Sequence, residues 1–181
     1  MNEQLSPDKL LGQIPFFRGL NDDECQQLGR IARTKNFAPG EIVLRQGESS
    51  RDLWAVLEGK CEVVRHKDGP ASAGDSVVLA VLEPYSHFGE MSFFNAAPHS
   101  ASVRAQTAVK LLRIARADYD KLIKDGVAAA YKLTYNAVES LANRLRRMDE
   151  WIVECASQNP PAEKIPEWSS FRDKLFSGWN L

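Results

Sequence analysis

Residues 38–69 read APGEIVLRQGESSRDLWAVLEGKCEVVRHKDG, and their punctuation decides the fold class. Pro39-Gly40, Gln46-Gly47, Glu58-Gly59 and Asp68-Gly69 recur at intervals of roughly ten residues, the spacing of turns in all-β sandwiches and barrels. Between them lie short runs rich in β-branched and aliphatic residues: 42–44, 53–57 and 61–65. Runs too short for helices and bounded by turn residues predict strands. Outward along the chain, 77–82, 101–105 and 109–114 read the same way, and the small polar stretch 70–76 predicts a mobile hairpin loop. The block predicts a small antiparallel β-roll, jelly-roll-like and closed to limit exposed edges.

Helical signals flank the roll. Ser6-Pro7-Asp8 places a capping hydroxyl before a proline at the first helical position. Asn21 with Glu24 three residues on reads as a capping box, and Leu28 and Ile31 continue that helix's apolar stripe. After Ala117 a short helix ends near Gly126, and a long one runs from about Val127 to Ala156. Along it Tyr131, Thr134, Val138, Leu141, Leu145, Met148, Ile152 and Cys155 alternate steps of three and four, the seam of a dimeric coiled coil. The alternative is a helix lying along its own roll. Asn159-Pro160-Pro161 breaks the helix, and Trp168, Phe171, Leu175 and Trp179 give the tail an aromatic face. The expected organisation is a helical segment at 1–35, the roll at 36–116, dimerising helices at 117–157 and the aromatic tail at 158–181. That makes a mainly β chain with flanking helices.

Composition narrows the function classes. A 44% hydrophobic and 26% charged chain of 181 residues suits one cored domain with an appendage. Its net charge of -1 draws it to neither nucleic acid nor anionic lipid as a whole. Cys25, Cys61 and Cys155 are odd in number and far apart, as reduced cytosolic thiols are. His66, His87 and His99 lack ligand spacing, so neither a metal nor a cupin-like enzyme is expected. The start of the chain lacks signal-peptide character and no apolar run approaches the roughly 18 residues of a membrane span. A cytoplasmic, non-enzymatic protein follows, with no catalytic residues, no cofactor, no DNA and no membrane partner.

The chemistry concentrates in residues 88–103, FGEMSFFNAAPHSASV. Phe88-Gly89-Glu90 ends a strand and opens a short helix. Glycine lets backbone approach a ligand, the first free N–H groups of a helix attract anions, and Glu90 suits sugar hydroxyls. Ser100 and Ser102 add hydroxyls after Pro98. The segment resembles the phosphate-binding cassette of the cyclic-nucleotide-binding domain family, which includes catabolite activators, kinase regulatory subunits and gated channels. Residues 14–17 (IPFF), 39–41 (PGE), 46–48 (QGE), 103–105 (VRA) and 141–145 (LANRL) extend the likeness over roughly 10–155.

The resemblance implies a ligand such as cyclic AMP or cyclic GMP, held by Phe88, Gly89, Glu90, Met91, Ser100, Ala101 and Ser102. Glu90 would take the ribose 2′-hydroxyl, Ser100 and the backbone near Ala101 the phosphate, and Arg144 of the long helix would pair with Glu90. At the position where the family carries a phosphate-neutralising arginine stands His99. Losing that counter-charge costs about 2–5 kcal/mol, or about 30-fold to several thousand-fold in affinity. Three readings follow: a bound anion protonates His99, Arg104 or Arg144 substitutes, or the pocket is vestigial. The function is then either a regulatory sensor that binds a cyclic nucleotide and moves its C-terminal helix, or a homodimeric adaptor for an unidentified protein partner.

Overall fold

The computed structural model describes residues 7–66 and 76–158, and the chain divides into two compact units, Met1–Val138 and Glu139–Leu181. In the first unit, helix α1 (Pro7–Leu11), a 3-10 turn (Pro15–Phe17) and α2 (Asp22–Gly29) precede the strands. The expected capping box is present: Glu24 N donates to Asn21 Oδ1 at 2.9 Å, and Asn21 N donates to Glu24 Oε2 at 2.8 Å. Ser6, the hairpin loop after His66 and the aromatic tail lie outside the described residues.

Strand β1 (Ala32–Phe37) occupies residues where the helical segment was expected to run to 35. Then come β2 (Ile42–Leu44), β3 (Asp52–Glu58), β4 (Cys61–His66), β5 (Ser76–Leu82) and β6 (His87–Phe88). Helix α3 (Glu90–Phe94), β7 (Ser102–Ala105), β8 (Val109–Ala115), α4 (Arg116–Lys124) and α5 (Ala128–Gln158) complete the order. All pairings are antiparallel, in two four-stranded sheets ordered β1-β8-β3-β6 and β2-β7-β4-β5. The roll is therefore two sheets with edges, not the closed roll expected. One edge, β1, exposes Arg33 and Lys35, charges that discourage strand addition. Another, β5, exposes Val77, Val78, Leu79 and Val81.

Strand β3 explains the layering. Leu53, Ala55 and Leu57 face a core shared with the helices, while Trp54 and Val56 face a second core between the sheets. Side chains two apart share a face, so one strand buried on both faces joins the two cores.

The beginning of α5 belongs to the helix-side core through Ala129, Ala130, Leu133 and Ala137. Lys132 Nζ reaches Glu24 Oε2 at 2.7 Å, and Asn136 Nδ2 donates to Phe16 O and Arg18 O, both at 3.0 Å. That stripe differs from the expected seam. Of the seam residues, Tyr131 and Val138 stay 55% and 61% exposed in the first unit, so lying on its own roll does not consume the seam. In the second unit α5 exposes Leu145, Met148, Trp151 and Val153.

Candidate functional site

The cassette is built from β6, α3, the segment 95–101 and β7. At its entry Phe88 is buried and lies parallel to Trp54, its ladder partner on β3, with ring centroids 6.3 Å apart. Gly89 follows with φ +84, and a Cβ there would stand 2.5 Å from Asp52 O. Glycine is required twice over, by the left-handed backbone and by the close approach of β3. Asp52 is held in turn by Arg113 Nη2 at 2.8 Å.

Glu90 opens α3 and is 2% exposed, whereas Met91 is exposed. Two arginines converge on the far end of this single-turn helix. Arg51 Nη2 and Arg116 Nη1 donate to Phe93 O at 3.2 and 2.6 Å, and Arg116 also stacks over Phe93, Phe94 and Tyr119. Cations belong at a helix C-terminus, where carbonyl dipoles accumulate.

His99 is the centre of the site. Its side chain is buried, with Nε2 2.7 Å from Ser50 Oγ and Nδ1 3.0 Å from Ser92 Oγ. A neutral imidazole offers one donor and one acceptor, and two hydroxyls can satisfy both. Burial pushes the His99 pKa below its ordinary 6.5, against a weaker upward pull from Glu48 and Asp52. The seat where an arginine was expected thus holds an uncharged, hydrogen-bonded ring.

The backbone around it is stitched to the β2–β3 loop. His99 N donates to Glu48 O at 2.9 Å, Gly47 N to His99 O at 2.9 Å, and Gln46 N to Ser102 Oγ at 2.9 Å. The Gln46 side chain also accepts from His66 N at 2.9 Å.

Of the residues expected from the sequence, the structure gathers Phe88, Gly89, Glu90, His99 and Ser102 as buried or tightly turned parts of one cassette. Ser100 is exposed and Ala101 half-buried beside them. Arg144 lies exposed on α5 in the second unit. Arg104 is excluded as a substitute counter-charge: it sits opposite Glu62 on the sheet surface and its Nε donates to Glu62 Oε1 at 2.7 Å. His87, expected at a turn, is in β6 and stacks on Phe16 at 4.0 Å. Ser50 and Ser92 were not foreseen. The available signal was that a histidine buried in an arginine's place needs two polar partners, and Ser92 is the nearest hydroxyl within α3. Among the described residues no His, Cys, Asp or Glu cluster is placed to hold a metal. No helix among them is long and apolar enough to cross a membrane.

Two antiparallel sheets, an N-terminal helical turn, a one-turn helix between β6 and β7 and a long C-terminal helix define a β-roll domain. The cyclic nucleotide-binding domain family matches residues 34–126, and the chain belongs to it. Among curated relatives, the cAMP-dependent protein kinase regulatory subunit of Schizosaccharomyces pombe is 24% identical over 161 residues, 87% of this chain and 34% of the relative. The cyclic AMP receptor protein of Thermus thermophilus is 32% identical over 135 residues, 75% of this chain and 59% of the relative. The solved Thermus thermophilus catabolite activator protein matches at 29% identity with a TM-score of 0.67, over 78% of this chain and 63% of that one. The chain spans less than two thirds of the length of these relatives.

Proposed function

We propose that this chain is a non-enzymatic, cytoplasmic regulatory module of the cyclic-nucleotide-binding type whose cassette serves chiefly as a scaffold. In this reading cyclic AMP and cyclic GMP bind weakly or not at all, and the module acts as a homodimeric adaptor through α5. The observation that carries it is His99, neutral and hydrogen-bonded at both ring nitrogens to Ser50 and Ser92. A cyclic phosphate seated there would lose water without meeting a permanent cation. Withholding the partner of a desolvated charge costs about 2–5 kcal/mol. Protonating His99 to supply the charge works against the burial that lowers its pKa. The exposed Tyr131, Tyr135 and Val138 of α5 favour the adaptor over a monomeric sensor, because they leave an apolar stripe uncovered by the roll.

Titration calorimetry with cyclic AMP and cyclic GMP tests the reading. The wild type should give flat traces or weak binding, and His99→Arg should strengthen cyclic AMP binding at least about tenfold, or about 1.4 kcal/mol. Low-micromolar binding by the wild type, not improved by His99→Arg, contradicts it.

A further inference from the structure

We infer that Ser50 and Ser92 are specificity-determining positioning residues that, with His99, lock the cassette in its formed shape without any ligand. The inference deepens the reading of a scaffold cassette and rests on it. A five-residue helix cannot hold itself, since one turn fixes many dihedrals for few hydrogen bonds. Helix α3 must be held from outside, and the structure shows how. Its entry is pinned where Gly89 meets Asp52 O, and its exit by Arg51 and Arg116 on Phe93 O. Between these ends Ser92 Oγ bonds His99 Nδ1, and the chain continues through Nε2 to Ser50 Oγ in the β2–β3 loop.

This three-residue bridge joins α3, the returning segment and the loop in one neutral, largely buried chain. Both ends are hydroxyls, which rotate to donate or accept, so either tautomer of the ring is satisfied. An arginine in the same place would be a buried cation calling for an anion to complete the site. The serine–histidine–serine bridge completes it internally. Specificity follows: the pair of hydroxyls keeps both ring nitrogens occupied, so the seat discriminates against anions by having already made its bonds.

Native-state hydrogen exchange on the full chain, with no nucleotide present, tests the lock. In the wild type the amides of Phe93 and Asn95, which donate to Gly89 O and Met91 O, should be protected. Ser92→Ala and Ser50→Ala should each speed their exchange about two- to tenfold, the worth of one net hydrogen bond. Amides of β3 and β8 should not change, and Ser50→Thr, which keeps the hydroxyl, should restore protection. If Ser92→Ala fails to fold, the half-buried Ser50 supplies the test alone. Unprotected α3 amides in the wild type, or variants that leave them unchanged, overturn the lock whatever the nucleotide affinity. Protected amides in a wild type that also binds cyclic AMP tightly keep the lock and overturn the scaffold reading instead.

Discussion

Replacing Gly89 by alanine should be one of the most damaging single-methyl additions in the molecule, and its cost can be worked from two separate features. The backbone at φ +84 is left-handed, a conformation that costs a residue with a Cβ about 1–2 kcal/mol. The new Cβ would also stand 2.5 Å from Asp52 O, a backbone atom of β3 that cannot swing away as a side-chain end would. Forcing extra volume into a packed site costs about 1–3 kcal/mol more. The sum, about 2–5 kcal/mol, converts to a fall in Tm of about 4–20 °C at roughly 2–4 °C per kcal/mol for a chain of this size. Gly40 provides the control: its φ is +85, yet nothing lies within 4 Å of its Cβ position. Gly40→Ala should therefore show only the backbone cost, about 1–2 kcal/mol. Urea and thermal unfolding of both variants measure the difference. Equal destabilisation would refute the claim that close packing of β3 against the cassette entry, and not backbone shape alone, dictates glycine at 89.

Three further outcomes follow from other parts of the fold. Lys132→Met removes the pair with Glu24, whose carboxyl is held below its ordinary 4.5 first by the Lys132 hydrogen bond. Because Lys132 is 45% exposed, the loss near neutral pH should be modest, about 0.5–1 kcal/mol. A lowered carboxyl pKa stabilises above about 4.5 and is lost as pH falls through the folded value. Acid titration of unfolding should thus show the wild type losing its advantage over the variant, and a constant gap contradicts the pair. For His99 the folded pKa is depressed, so the folded state binds fewer protons than the unfolded chain. Its contribution is full above about 6.5 and is lost as pH falls from there toward the folded value. His99→Gln should flatten that part of the stability profile, and an unchanged slope refutes a buried neutral ring. Finally, Leu141 and Leu145 replaced by glutamate should give monomers in sedimentation, since each buried leucine contributes about 1.5–3 kcal/mol. A wild type already monomeric at high micromolar concentration removes the dimer.

What was legible in the sequence was local. The Asn21–Glu24 capping box, the turns at Gly40, Gly47 and Gly59 and the strands between them depend on neighbours a few positions away, and each stands where its chemistry requires. Strand β1 was missed because ARTKNF lacks alternation: only its first residue is buried, and its partner is β8 (Val109–Ala115), distant in sequence. Strand β6, of two residues, is too short to carry a period. The stripe by which α5 meets the roll escaped notice because it is mostly alanine. Small side chains allow close approach but contribute little to an apolar pattern, so the larger residues were read as the seam. At the site, Gly89, Glu90 and His99 were readable from their order in one segment. Ser50 was not, because 49 residues separate it from His99 and only folding brings them together.

The central claim is that the cassette's seat is neutral and internally satisfied, and nitrogen-15 NMR of the His99 imidazole tests it most directly. At about pH 7 the ring should give the signals of a neutral tautomer, with a titration midpoint below the ordinary 6.5. Millimolar cyclic AMP should leave both unchanged. An imidazolium at neutral pH, or a midpoint that climbs above 6.5 when cyclic AMP is added, would contradict the account.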